Sequence, residues 1–497
     1  MLTAKKKFYI TTSIPYANAA PHVGHVLDPL IADVLARYNR IKGCEVRFLV
    51  GTDEHGAKIV RKAEEENKTP KQLVDKNSGQ FRAMHKLLNI SWDDFIRTSD
   101  QKRHWPGAQK MWLALVKSGD IFRKKYRGLY CVGHEAFVTE KDLVDGKCQD
   151  HQKEPEVIEE ENWFFRLSKY SQEIESRIKN QELKIIPESR RNEILSFISG
   201  GLEDVSFSRP AKDLPWGVSV PDDPTQTMYV WCDALVNYIS AIGYGQEDPD
   251  SRALFKKWWP ADFHVIGKDN IRFHAAIWPG MLLSAGLPLP KSIFVHGFIT
   301  VDGEKMSKTV GNVIDPIKLV QKYGTDPVRY YLLREIPSGE DGDFSYKKFE
   351  ERYNGDLANG LGNLVARVTT LAEKSSIKYQ VLSIKDGRLL DLLKNVKVNY
   401  EKAMEEIRLN EALEEIWKLI HAGDRYINEE KPWEKTLQQV QGGEKLEVIS
   451  DLLLLILEIA ALLEPFLPET AEKIKEQIYI DDEEIKVKKS GNLFPRW

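Results

Sequence analysis

"FYITTSIPYANAAPHVGHVLDPLIADVLARYNRIKGCEVRFLVGTDEHG", residues Phe8 to Gly56, decides the fold. The β-rich FYITTSI ends at Pro15. From Val26, apolar residues recur at Leu30, Val34, Tyr38 and Ile41, the spacing of a helix with one buried face. Gly43 falls where a glycine favours the end of a helix. EVRFLVG then reads as a second strand, with TDEHG at its end. Strand, loop, helix, strand is the opening of a doubly wound α/β domain, whose ligands gather beyond the carboxyl ends of the strands. Pro15–His25 and Gly51–Gly56 both lie at such ends.

Within the first loop, Pro21 suits the first turn of a helix, because its missing N–H would have no partner there anyway. His22 and His25, three apart, are expected on one side of that turn. Gly24 between them leaves the backbone open to a flat ring. A helix start offers N–H groups and a positive dipole end, so two imidazoles there form an anion clamp. By themselves they also fit a solvated surface pair. GEKMSKTVGN (Gly303–Asn312) places Lys305 and Lys308 three apart in a glycine-flanked loop. Such a loop reaches a polyphosphate, or is simply solvated.

At 497 residues, 42% hydrophobic and 29% charged, the chain has the make-up of a soluble globular protein with about three domains. A net charge of −4 gives no global attraction to nucleic acid, so any such binding needs local patches. MLTAKKKFYITTSI runs from a basic start into a strand, unlike a signal peptide. The most apolar run, Leu452–Leu463, contains Glu458, is too short to span a bilayer and reads as a buried helix. Four cysteines form no disulfide framework, and a cytoplasmic, reduced protein is the expectation.

Residues 1–118 and 224–298 read as two halves of the α/β domain. The stretch 119–223, rich in Glu and Lys with two Cys/His pairs and no evident core of its own, reads as an insertion. Residues 299–346 form a linking module around the lysine loop, and 347–497 become helical with few strand signals.

PHVGH and KMSKT stand about 280 residues apart, with GTDEHG, YVWCDALVNY and GKDNIRFHAAIWPGML between them. In order and spacing the set resembles the methionyl-tRNA synthetases among the class I aminoacyl-tRNA synthetases, over essentially the whole chain. Two departures are mild. Thr309 stands where the family often has Ser, and Leu235 where it often has Pro.

The resemblance implies a Rossmann-type catalytic domain split by a small zinc-knuckle insertion and followed by an all-α anticodon-binding bundle. It implies ATP, with Mg²⁺, as substrate, and His22, His25, Lys305 and Lys308 acting on its phosphates. Gly24, Asp28, Lys268, Asp269, His296 and Gly297 would line the nucleotide. Ile14, Tyr16, Asp53, Trp231, Ala234, Leu235, Tyr238 and His274 would hold L-methionine, with Asp53 on its α-ammonium. Asn363, Arg367 and Trp433 would engage the anticodon of methionine tRNA. Asn363 and Arg367 are four apart on one helix face, and an aromatic ring can stack a splayed base. Without the resemblance, Trp433 equally reads as a cap on the bundle.

Cys131-x₂-His134 and Cys148-x₂-His151 have the short spacing of a metal knuckle and can supply four tetrahedral ligands to one structural Zn²⁺. The family commonly has four cysteines here, so the alternative is a knob that has lost its metal. Two rival functions stay open: a leucine-, isoleucine- or valine-type synthetase, whose long editing insertion has little room here, and a non-catalytic tRNA-binding paralogue, which would be expected to lack some of the four cationic residues. No further segment follows NLFPRW, so a monomer is expected.

Overall fold

The computed structural model describes residues 5–132, 136–138, 143–149, 152–306, 311–375, 379–380, 383–434, 444–481, 484–488 and 490–496. Packing divides the chain into two compact units. One comprises Met1–Pro21, Asn39–His85 and Ser91–His296; the other comprises His22–Tyr38, Lys86–Ile90 and Gly297–Trp497.

The first unit is built on a parallel sheet. In chain order its main strands are β1 (Lys7–Thr12), β2 (Glu45–Thr52) and β3 (Asp94–Arg97), the hairpin strands β4 (Ile121–Cys131) and β5 (Glu156–Phe165), then β6 (Lys184–Ile186), β7 (Phe263–Gly267) and β8 (Ser292–His296). Among the described residues the sheet order is β3-β2-β1-β7-β8-β6, every neighbour parallel. β1 and β8 are buried almost end to end, as strands covered on both faces must be. The order reverses between β1 and β7, and that switch point is where such sheets open a crevice. Beyond the strand ends there lie Ile14–Tyr16, Asp53 and Lys268–Asp269.

The sequence placed all of 119–223 in an insertion, and the structure differs. β4 and β5 do form a long antiparallel hairpin, from Ile121↔Phe165 to Tyr130↔Glu156. β6, however, pairs with β8 as an edge strand of the main sheet. The helices flanking it, Ser171–Lys179 and Glu188–Ser199, bury Ile174, Ile178, Ile194 and Ile198 in the same core as Tyr9 and Trp278. The tip of the insertion also has a small core, in which Cys131, Val138 and Cys148 pack with Leu129 and Leu143.

In the second unit, α1 (Leu27–Ile41) carries the histidine motif at its start. Ile299–Val301, Glu304–Lys305 and Gly342–Phe344 form a three-stranded sheet. Around it and beyond it come α2 (Pro316–Tyr323), α3 (Thr325–Glu335), α4 (Asn363–Ser375), α5 (Gly387–Glu405), α6 (Leu409–Glu430), α7 (Glu444–Leu463) and α8 (Pro468–Gln477). The apolar run Leu452–Leu463 lies in α7 with one face buried, including Leu452, Leu455, Ile456, Ile459 and Leu463, while Ala461 is exposed and Glu458 reaches Lys397 at 2.7 Å. Tyr379–Gln380, Ile478–Asp481 and Glu484–Val487 add a small sheet that the helical reading missed. Among the described residues, no helix is long and apolar enough to cross a membrane.

One buried ion pair organises this unit. Arg329 of α3, fully buried, meets Asp33 of α1 at 2.8 Å. It also donates to the carbonyls of Leu88, Pro465 and Phe466 at 3.0, 3.1 and 2.8 Å. A buried charge is tolerated only when it is paired and hydrogen-bonded in this way. The arrangement anchors α1 to α3 and to the turn between α7 and α8.

Candidate active site and anticodon surface

In the first unit, the expected amino-acid pocket forms one connected, mostly buried group. Tyr16 and Asp53 pair as a β-bridge, with Asp53 N–H donating to Pro15 O at 2.9 Å and Ala17 N–H to Asp53 O at 2.8 Å. The Asp53 carboxylate receives the Thr98 hydroxyl at 3.3 Å. The Tyr16 ring meets Trp231 edge-on at 6.4 Å, and Trp231 stacks on Phe273 at 3.5 Å. Ala234, Leu235, Tyr238 and His274 are each 3% exposed or less. Ile14 lies beside Gly51, where a Cβ would stand 3.0 Å from its Cγ2.

The proton pattern of this wall follows from its partners. His274 Nδ1 lies 2.9 Å from Asn270 O, which only accepts, so that nitrogen carries the hydrogen. His274 Nε2 then accepts from the Tyr238 hydroxyl at 2.6 Å. Behind them, Trp278 N–H donates to His264 Nε2 at 3.3 Å, so His264 Nδ1 donates to Thr11 Oγ1 at 2.6 Å. Burial, and to a lesser degree the neighbouring His274 imidazole, pushes the His264 imidazole well below its ordinary value. The pocket floor is thus aromatic, polarizable and held neutral, which suits a thioether.

The sequence reading passed over the polar layer around Asp53. Glu54 is fully buried and receives Thr52 Oγ1 and Arg97 Nε, each at 2.7 Å. His55 Nδ1 lies 2.5 Å from Asp233 Oδ2, and His104 Nε2 lies 2.6 Å from Asp233 Oδ1. Burial alone would raise Asp233, but His55 and then His104 hold its carboxyl down to about 2. GTDEHG carried the signal for two of these groups. Nothing local pointed to His104, which is 129 residues from Asp233 in sequence.

Of the expected nucleotide residues, Lys268 and Asp269 open a short 3₁₀ turn directly after β7. A Cβ on Gly267 would stand 2.8 Å from Asp269 Oδ1 and 3.6 Å from His296 Cε1, so these residues of the first unit lie together.

In the second unit, the histidine motif corrects the sequence reading in one respect. The first turn is a 3₁₀ turn, Val23–His25, with His22 as its N-cap in extended conformation, and Pro21 precedes the cap. The two rings still come together, with centroids 3.8 Å apart. His22 Nδ1 accepts from Gly24 N–H and His25 Nδ1 accepts from His22 N–H, both at 3.1 Å. With Nδ1 accepting, each neutral ring carries its proton on Nε2, the tautomer that donates to an anionic oxygen. Gly24 is needed because a Cβ there would come within 2.9 Å of His22 Cε1 and 3.2 Å of Met306 Cε. Met306 belongs to the lysine motif, so the two motifs adjoin. Val23 N–H also donates to Ile314 O at 3.0 Å. Lys305 pairs through its backbone with Thr300; nothing is described of its side chain, and Lys308 lies outside the described residues. Asp28 sits in the first turn of α1. Gly297 has room for nothing larger, since a Cβ would stand 2.2 Å from the Glu340 backbone.

The anticodon candidates also converge. Asn363 opens α4 and Arg367 follows one turn later. Arg367 donates to Asn428 Oδ1 at 2.7 Å and stands 5.5 Å from the Trp433 ring centroid. Trp433 is 46% exposed, so a large part of its ring is open to solvent. It follows Lys431, whose φ of 41° ends α6, and Pro432.

At the knob, Cys131 and Cys148 are buried in one cluster, while His134 and His151 lie outside the described residues. Among the described residues no three His, Cys, Asp or Glu groups stand together as a metal site.

A family model described as tRNA synthetases class I (M) matches residues 8–154 and 138–369, and one described as the anticodon binding domain of methionyl tRNA ligase matches 381–493. The chain belongs to the methionyl class I tRNA synthetases. The methionine–tRNA ligase of Caldanaerobacter subterraneus subsp. tengcongensis is 42% identical over 514 residues, covering 99% of this chain and 79% of that one. That of Bacillus subtilis is 42% identical, covering 98% and 78%. The Mycobacterium tuberculosis methionyl-tRNA synthetase in complex with methionyl-adenylate superposes with a TM-score of 0.93 at 38% identity, covering 99% of this chain and all of that one. The parallel sheet and the C-terminal helical domain are therefore those of the class I synthetase fold.

Proposed function

We infer that the chain activates L-methionine with ATP, giving methionyl-adenylate and pyrophosphate, and transfers the methionyl group to the 3′ end of methionine tRNA. The observation that carries this reading is the aromatic group of half-buried Tyr16 and Trp231 with buried Tyr238 and His274, beside the Asp53 carboxylate, in a chain that methionyl family models match over residues 8–369 and 381–493.

In the first step, the thioether lies among Trp231, Ala234, Leu235, Tyr238, His274 and Ile14, and Asp53 takes the α-ammonium. The methionine carboxylate is already ionised at neutral pH, far above a reference pKa of about 3.5, so no general base is needed. It attacks the α-phosphorus in line and pyrophosphate leaves. His22 and His25, through their Nε2 protons, and Lys305 and Lys308, through their charge, stabilise the phosphoryl group as it expands. Asp269 holds the ribose, with Lys268, His296, Gly297, Gly24 and Asp28 around the rest of the nucleotide. Mg²⁺ enters with ATP and neutralises charge on the leaving pyrophosphate. In the second step, a ribose hydroxyl of the tRNA attacks the acyl carbon and AMP departs. Asn363, Arg367 and Trp433 select the tRNA by holding an unstacked anticodon base.

The knob fits a structural zinc in its chemistry. Two buried thiols share one small cluster, and neutral imidazoles at 134 and 151 would complete a closed N₂S₂ set. When bound, the metal would add folding energy to a small core, five side chains among the described residues. A monomeric, cytoplasmic enzyme goes with this reading, and none of the four cysteines forms a disulfide. The test is aminoacylation of methionine tRNA beside a transcript with an altered anticodon. Charging of the first alone is expected, and equal charging of both would refute the anticodon assignment.

A further inference from the structure

Two loops of the first unit supply opposite walls of the proposed methionine pocket. One follows β2 and carries Asp53. The other is the short helix Val230–Ala234, which carries Trp231 and Ala234, with Leu235 next. Both must keep their spacing, because one grips the ammonium and the other the side chain. Backbone pairing ties the Asp53 loop to Tyr16, yet among the described residues no strand pairing joins it to the helix Val230–Ala234. The joint is made by side chains instead.

Asp233, one residue from Ala234, accepts from His55, two residues from Asp53, at 2.5 Å. Its other oxygen meets His104 Nε2 at 2.6 Å, and His104 Nδ1 meets Ser240 Oγ at 2.9 Å. Asp233 and His104 are fully buried and His55 is 1% exposed. The His55 ring is wedged between Trp105 and Trp216, edge-on to each at 6.0 and 5.8 Å. Both pairs are charge-assisted and short, the strong kind of hydrogen bond. His55 Nε2 is buried and meets no hydrogen-bond partner among the described residues.

We propose that Asp233 is a positioning residue, which through His55 and His104 fixes the distance between the Asp53 wall and the Trp231–Leu235 wall and so sets affinity and selectivity for the amino acid. The inference rests on the pocket assigned above. The two histidines engage through different ring atoms, so their replacements differ. At 55 the donor is Nδ1, which an Asn amide mimics. At 104 it is Nε2, which a Gln amide mimics. Atom placement therefore separates positioning from general packing.

The experiment is ATP–pyrophosphate exchange on the full chain, with methionine and ATP titrated separately and the melting temperature recorded for each variant. His55→Ala and His104→Ala should raise KM for methionine roughly tenfold or more, the loss of one charge-assisted bond. KM for ATP should stay within about twofold. His55→Asn and His104→Gln should recover most of the loss, whereas His55→Gln and His104→Asn should not. If the alanine variants fold poorly, the Asn/Gln pairs carry the test alone. Parallel rises in both KM values, or rescue indifferent to Asn or Gln, overturn the proposal. Absence of methionine-dependent exchange in the unaltered chain would overturn the assigned function instead.

Discussion

Trp433→Ala separates tRNA reading from chemistry. The indole is 46% exposed, so about half of it is open to a ligand. Its described neighbour is the Arg367 guanidinium, 5.5 Å from the ring. An exposed cation–π pair contributes about 0.5–1 kcal/mol, so losing this contact costs stability at most about 1 kcal/mol. A base that stacks on the ring loses more, about 1–3 kcal/mol. At 1.4 kcal/mol per decade, kcat/KM for aminoacylation of methionine tRNA should fall about 5- to 150-fold. Amino-acid-dependent pyrophosphate exchange should change less than twofold, because Trp433 takes no part in the first step. Trp433→Phe keeps a flat ring and should recover most of the loss. The assay is steady-state charging over a range of tRNA concentrations, with exchange and thermal melting on the same preparations. Equal losses in charging and exchange, or a large fall in melting temperature, would refute the assignment and make Trp433 a structural residue.

His25→Ala and Lys308→Ala should each slow adenylate formation by the equivalent of about 2.7–4 kcal/mol of barrier while methionine binding, measured by calorimetry without ATP, stays nearly intact; collapse of binding would contradict the phosphate role. For the knob, elemental analysis of protein purified without added metal should find close to one zinc per chain, and Cys148→Ala should abolish it; a metal-free parent of full activity and unchanged chelator sensitivity would make the four residues remnants. Asp233 has a folded pKa depressed to about 2 from the ordinary 3.8, so its stabilising contribution, about 2 kcal/mol, is present above the unfolded value and is lost as pH falls through the folded one. Urea midpoints should therefore show the deficit of Asp233→Asn shrinking by about 1 kcal/mol between pH 7 and pH 3; a constant deficit would show that the carboxylate is not held down by its histidines.

Much of this was legible from Phe8–Gly56 because that stretch is periodic and punctuated. β1, α1 and β2 fall where the alternation and Gly43 put them, and the strand ends carry Tyr16 and Asp53. The histidine pair was legible as a pair, but its 3₁₀ turn was not, since that depends on two ring nitrogens accepting backbone N–H groups. β6 was missed for a different reason. Lys184–Ile186 is three residues long, too short to show a period, and only its parallel pairing with β8 makes it a strand. The small sheet around Tyr479 was missed likewise, because its strands are two to four residues long and the third, Tyr379–Gln380, comes from about a hundred residues away. The Asp233 network was hidden most deeply. His104 reads as an ordinary polar residue ahead of a helix until the fold brings it to a carboxylate 129 residues away.

The central claim is that this pocket takes methionine and that the chain makes its adenylate. ATP–pyrophosphate exchange measured with each of the twenty amino acids tests it most directly. Methionine should support exchange far above leucine, isoleucine and valine, because an aromatic, neutral pocket with a carboxylate at one end fits an unbranched thioether, and each misplaced methylene costs about 1–3 kcal/mol. Exchange stimulated by leucine as strongly as by methionine, or no exchange with any amino acid, would contradict it.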